Sequence, residues 1–120
     1  MNLKLKTMCF VTTESVKAKI AKNDIKCWKV LFPRLGGNKY ESPVESFHYH
    51  PGRKTKKVIL NKVNSRIINE GYHSYITKKD AENSSLMCGS KEIYKMIIPK
   101  GTRYFSNSTE YVSETIILVQ

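Results

Sequence analysis

Ile25-Lys26-Cys27-Trp28-Lys29-Val30-Leu31-Phe32 carries apolar side chains on both alternating faces, the pattern of a central strand covered on each side. Trp28 is expected in the core. Pro33 ends the strand, and Leu35-Gly36-Gly37-Asn38 supplies residues that tolerate positive φ for the turn that follows. Upstream, Thr7 to Thr12 is a short β-prone run that suits an early strand. Ser15 to Lys22 is Lys-rich, with an apolar face limited to Val16, Ala18, Ile20 and Ala21, which leaves a weak helix and an extended surface segment both open.

Downstream, Tyr40 to Gly52 is aromatic but interrupted by Pro43 and Pro51, so it reads as irregular with one edge strand around Phe47. From Lys56 to Asn69 the period becomes helical. Ile59, Leu60, Val63 and Ile67 share one arc, Lys62 and Arg66 flank it, and Gly71 is placed to end the helix in a left-handed conformation. Tyr72 to Ile76 alternates as a strand, and Thr77-Lys78-Lys79-Asp80 then reads as an N-cap with an acid three residues on, opening a second short helix to about Leu86. Ile93 to Ile98 is a strand, Pro99-Lys100-Gly101 a tight turn, Arg103-Tyr104-Phe105 the strand that pairs next, and Tyr111 to Val119 a closing apolar strand. The expected fold class is α+β: a mostly antiparallel sheet with two short helices packed on it. Tyr72, Tyr75, Tyr94, Tyr104 and Tyr111 fall at strand spacing and are expected as half-buried sheet residues.

A chain of 120 residues, 40% apolar, is expected to fold as a single domain over residues 1–120 around one core. No stretch approaches the roughly 20 apolar residues of a membrane span, and the start Met1-Asn2-Leu3-Lys4-Leu5-Lys6 lacks the apolar run of a secretory signal, so no membrane association is expected. Cys9, Cys27 and Cys88 are an odd, widely spaced set that suits a reducing cytoplasm and core packing. In that compartment the sequons at Asn83 and Asn107 carry no glycan. The formal net charge is +11, and residues 1 to 66 hold 15 of the 21 Lys and Arg against four acids, whereas residues 67 to 120 hold six of each sign. The whole excess lies in the first half, which points to a basic face made by particular elements.

The densest part of that face is Arg53, Lys54, Lys56, Lys57, Lys62 and Arg66, preceded by His48, Tyr49 and His50, which can stack on bases. Phosphate binding needs mobile cations along a stripe, and single-stranded RNA adds aromatic platforms, so these residues are the candidate nucleic-acid or partner site. The bland alternative is a solvated loop and the wet side of a helix. His48 and His50, with His73 or Cys88, are a weak metal arrangement because no spacing to a third ligand is constrained. The same His48, His50 and His73 also allow an acid–base ribonuclease, and Tyr72, His73 and Glu114 a nicotinamide-nucleotide chemistry of the ADP-ribosyltransferase kind. No P-loop, G-x-G-x-x-G, H-E-x-x-H or G-x-S-x-G occurs, so neither a cofactor nor a metal is expected and a non-enzymatic binder is the first reading.

Gly71-Tyr72-His73-Ser74-Tyr75, then Ile97-Ile98-Pro99-Lys100-Gly101-Thr102-Arg103-Tyr104-Phe105 and Tyr111-Val112-Ser113, with the Lys26 to Leu31 strand, resemble a pattern found in small proteins of bacterial phages and mobile elements. The shared residues are of turn and sheet type and imply a common fold without catalytic assignments. Such proteins include anti-CRISPR inhibitors of RNA-guided type VI effectors. The resemblance therefore implies an inhibitor in the cytoplasm of a bacterial host, whose partner is RNA or a nucleoprotein effector complex, with an acidic protein surface as second choice.

Overall fold

The structure, a computed structural model, describes residues 10–11, 17–33, 40–41, 48–60, 67–68, 71–83 and 92–119. Within them the chain forms strands β1 (Phe10–Val11), β2 (Lys19–Ile20), β3 (Ile25–Pro33), β4 (Tyr40–Glu41), β5 (His48–Tyr49), β6 (Ile67–Ile68) and β7 (Tyr72–Tyr75). A helix α1 (Lys78–Glu82) follows, then β8 (Glu92–Ile98), β9 (Arg103–Ser106), β10 (Glu110–Ser113) and β11 (Ile117–Leu118). Seven strands pair in the order β11-β8-β3-β7-β10-β9-β2, β4 and β5 attach to the end of β3, and β1 pairs with β6 apart from them. Every described pairing is antiparallel.

The Ile25 strand is central, as its two-faced apolar pattern requires. It runs in continuous register with β8 from Ile25↔Ile98 to Leu31↔Glu92. Cys27 and Leu31 are fully buried on one face and Val30 on the other, while Trp28 is only half-buried, under the Lys78 ammonium at 5.9 Å from its ring. Burial pushes the Cys27 thiol up to about 11, the behaviour of a packed small hydrophobe.

Three short connections bend this sheet. In the strand order β2 lies four positions from β3, β8 four from β9, and β10 four from β11. Four strand spacings in a flat sheet amount to about 19 Å. The chain from Ser113 to Ile117 has only four residue steps, which reach about 14 Å at full extension. The sheet therefore curls. Ala21 N donates to Thr102 O at 2.9 Å and Gly101 N to Ala21 O at 2.8 Å, so the exit of β2 is stitched to the turn between β8 and β9. Gly101 sits at φ +89 in that turn, a conformation that favours glycine. The core of Cys27, Leu31, Tyr49, Tyr72, Met96, Ile98, Ile116 and Leu118 packs within the curl, and Leu60, Phe105 and Val112 form a second cluster.

Only one of the two expected helices occurs among the described residues. α1 begins as expected: Thr77 Oγ1 accepts from Asp80 N at 3.0 Å and donates to the Asp80 carboxylate at 2.7 Å. Ala81 is buried, and the helix packs on β3, β7 and β8. It ends at Glu82 with Asn83 as C-cap, before the expected Leu86, which lies outside the described residues.

The helix expected from Lys56 to Asn69 is corrected over its described part: residues 56–60 are not helical and Ile67–Ile68 is a strand paired with Phe10–Val11, whereas 61–66 and Asn69 lie outside the described residues. The backbone donors of this segment reach the C-terminal chain instead of carbonyls four residues back: Gly52 N to Leu118 O at 2.8 Å, Thr55 N to Ile116 O at 3.0 Å and Val58 N to Glu114 O at 3.0 Å. A helical period of side chains does not overcome tertiary partners for the backbone. Gly71 does take positive φ, at +110, but as the entry to β7, where an added Cβ would meet Leu60 Cδ2 at 2.4 Å.

The closing strand is also divided. Instead of one run from Tyr111 to Val119, β10 and β11 lie on opposite sides of β3, separated by Glu114–Ile116. Arg103-Tyr104-Phe105 pairs with β10 and β2, not with β8. Tyr40–Glu41 and His48–Tyr49 form two short strands where one was expected around Phe47, which itself lies outside the described residues. The open choice for Ser15 to Lys22 resolves, for residues 17–22, to an extended segment containing β2.

Candidate functional site

Glu114 sits where the closing strand breaks, and the break brings three segments together. The residue is 5% exposed. A buried carboxylate is costly unless its oxygens are paired. Here Leu60 N donates to Oε2 at 3.2 Å, Arg103 Nη1 donates to Oε2 at 3.2 Å, and Lys57 Nζ stands 3.8 Å from Oε1. Arg103 also donates to Leu60 O at 2.8 Å, so it clamps the 52–60 segment to β9. Tyr72 OH donates to Lys56 O at 2.6 Å, and Thr55 Oγ1 accepts from Ile116 N at 3.0 Å.

These fixings leave a cleft of about 320 Å³ between the 52–60 segment and the β8–β9 turn. Its charged lining is Lys54, Lys57, Lys100, Arg103 and Glu114, joined by Thr102, Thr115, Gly101 and Ile20. Thr102 and Thr115 share a hydroxyl hydrogen bond at 3.1 Å, which fixes the two chains beneath the cations. A second carboxylate, Asp24, accepts from the Lys100 N–H at 2.9 Å and holds the turn. Four cations around one largely committed carboxylate give an anion-attracting recess. Arg103 retains donor capacity and Lys54, Lys57 and Lys100 act as mobile point charges.

The residues singled out from sequence divide here. Lys54 and Lys57 line the cleft, whereas Arg53 and Lys56 are exposed without lining it. Lys62 and Arg66 lie outside the described residues. Lys100 and Arg103 were read only as turn and strand residues, and they come from the half of the chain without excess charge. Only the topology places them beside Lys54, and their one sequence signal is that two cations flank Gly101-Thr102.

Of the histidine constellations, the His48 side chain and Cys88 lie outside what the structure describes, and only His50 and His73 are placed in full. His48 pairs with Glu41 on β4, and His50 is half-buried at the turn where its carbonyl accepts from Arg53 N at 3.1 Å. His73 is on β7, opposite Val112, and its carbonyl accepts from the buried Lys29 ammonium. Tyr72 points to Tyr49 in the core, with ring centroids 6.2 Å apart, so strand alternation turns His73 to the other face. Tyr72, His73 and Glu114 therefore do not share one cleft. Among the described residues no three His, Cys, Asp or Glu side chains converge as metal ligands, and no helix is long and apolar enough to cross a membrane.

A second cleft, of about 600 Å³, is lined by Lys19, Ile20, Lys22, Asn23, Ile25 and Tyr104. The two clefts share Ile20, which is 57% exposed. A scan against protein-family models, a search of curated proteins and a search of solved structures each found no match.

Proposed function

We propose that this protein is a non-enzymatic binder of polyanions, and that its partner is RNA, free or within a nucleoprotein complex. The observation that carries this reading is the convergence of Lys54 and Lys57 from one segment with Lys100 and Arg103 from another on one recess. Clustered cations on separate, hydrogen-bonded backbones hold their spacing, which a solvated lysine run does not. Phosphates meeting such a cluster release counterions, so binding weakens steeply with salt. The contacts are to phosphate and fix position, not sequence. In its biological setting the protein blocks a host RNA-guided effector by occupying the guide RNA or the channel that holds it. The net charge and the resemblance of the C-terminal segments to phage proteins support that setting.

The test is fluorescence anisotropy of a labelled structured RNA across a salt series, with the RNA afterwards run on a denaturing gel. Intact RNA, bound in a salt-dependent manner, is expected. Charge reversal of Lys54, Lys57 and Lys100 to Glu lowers affinity by about a hundredfold at low salt while the protein stays folded. Absent RNA binding would move the partner to an acidic protein surface. Cleaved RNA, lost on His48, His50 or His73 substitution to Ala, would establish a ribonuclease instead.

A further inference from the structure

The edge of the sheet at β2 has two sides, and each opens on a different cleft. In the β2–β9 register Ile20 lies opposite Arg103 and Lys19 opposite Tyr104. Successive side chains of a strand point to opposite faces. Arg103 stands 5.7 Å from the Phe105 ring on one face, and Tyr104 meets Tyr111 edge-on at 5.8 Å on the other. The cationic cleft thus lies on the Arg103 side and the larger cleft on the Tyr104 side, with exposed Ile20 bordering both. The larger cleft offers a tyrosine ring and two isoleucines to a flat apolar group, and the Asn23 amide to a polar edge. Exposed Lys19 and Lys22 keep its surroundings cationic.

We infer that a single-stranded RNA segment binds across the β2 edge, with a base lodged against Tyr104 and neighbouring phosphates on Lys54, Lys57, Lys100 and Arg103. This rests on the polyanion reading above and names its substrate class. A ligand that fills both clefts must bend round a strand edge and present an unstacked base. A single strand does both, whereas a duplex is stiff over this length and keeps its bases inside. Aromatic platforms beside a cationic track are the chemistry by which single strands are held without sequence preference.

The experiment compares a single-stranded RNA of about ten nucleotides with the same strand annealed to its complement, at equal salt, for the wild type and for Tyr104→Ala, Tyr104→Phe and Ile20→Ser. The single strand is expected to bind about tenfold more tightly than the duplex. Tyr104→Ala loses about tenfold of that affinity, Tyr104→Phe keeps it, and Ile20→Ser loses a smaller factor. None of the three alters the salt slope, because no charge changes. Tyr104 is half-buried against Tyr111, so Ile20→Ser on an exposed side chain secures the test should Tyr104→Ala unfold. Ultraviolet cross-linking of an oligouridylate to the wild type is expected to place an adduct on Tyr104. Equal affinity for strand and duplex, insensitive to Tyr104 and Ile20 and with adducts elsewhere, overturns the inference while leaving salt-dependent polyanion binding intact. Absence of salt-dependent binding to either probe overturns both.

Discussion

β3 and β8 on one side, and the 52–60 segment with residues 114–118 on the other, are both pairs of chains joined by backbone hydrogen bonds, yet they are built differently. β3 and β8 hold one register over seven residue pairs, and β3 is buried on both faces, at Cys27, Lys29 and Leu31 on one and at Val30 on the other. Along the second pair the register slips: Gly52 meets Leu118, Thr55 meets Ile116 and Val58 meets Glu114, so three residues on one chain span two on the other. The slip takes the segment out of strand alternation and lets Lys54 and Lys57 reach the same recess. Regular pairing builds the core, and irregular pairing, anchored by a buried carboxylate, builds the cleft.

The largest effect is expected where the two regions join. Gly71→Ala puts a Cβ 2.4 Å from Leu60 Cδ2 and 2.7 Å from Val112 Cγ2 at φ +110, and should cost about 3 kcal/mol or more in urea unfolding. Gly101→Ala, at φ +89 with open space around it, should cost only about 1 kcal/mol. Next comes Glu114→Ala, which leaves the Leu60 N–H without its acceptor and Arg103 with only the Leu60 carbonyl, and should cost about 2 to 3 kcal/mol. Hydrogen exchange should then quicken across residues 52–60 and stay slow in β3 and β8, and uniform quickening would erase the distinction between the two regions. Thr77→Ala removes the cap of α1, which lines neither cleft, and should cost about 1 kcal/mol without changing RNA affinity.

The smallest effect is a gain. Burial raises the Glu110 carboxyl above its ordinary value, against the opposing influence of the Asn107 side chain and of Lys29. A raised folded pKa on an acid means that the protonated form suits the fold: its stabilising contribution is full below the unfolded carboxylate pKa and is lost as pH rises through the folded one. Glu110→Gln should therefore raise the Tm slightly at pH 7, and the gain should vanish in acid. A gain that persists unchanged below the ordinary carboxylate range would assign the effect to packing instead of charge.

How much was legible follows from where each segment's backbone partners lie. The Ile25 strand, Tyr72 to Tyr75, Ile93 to Ile98 and the Thr77 cap were readable because their side-chain pattern or local capping agrees with their final state. Residues 56–60 were not, because a helical spacing of apolar residues there competes with acceptors on residues 114–118 that are distant in sequence. The same distance hid half of the cleft. Lys54 and Lys57 announce themselves in a basic run, but Lys100 and Arg103 belong with them only through the curl that draws the β8–β9 turn back to β2. Glu114 was noticed for a different chemistry, and its role as the anchor of the 52–60 segment depends on the break between β10 and β11, which an unbroken apolar run conceals.

The central claim is that four cations from two distant segments act as one anion site, and the salt dependence of single-stranded RNA binding tests it most directly. Lys54→Gln with Lys100→Gln should flatten the slope of log affinity against log salt by about 1.4, since each lost phosphate contact to a single strand contributes about 0.7. Arg53→Gln with Lys56→Gln, which removes the same charge from exposed residues outside the cleft, should change it by a small fraction of that. Equal flattening by the two pairs, or none from Lys54 and Lys100, would contradict the account.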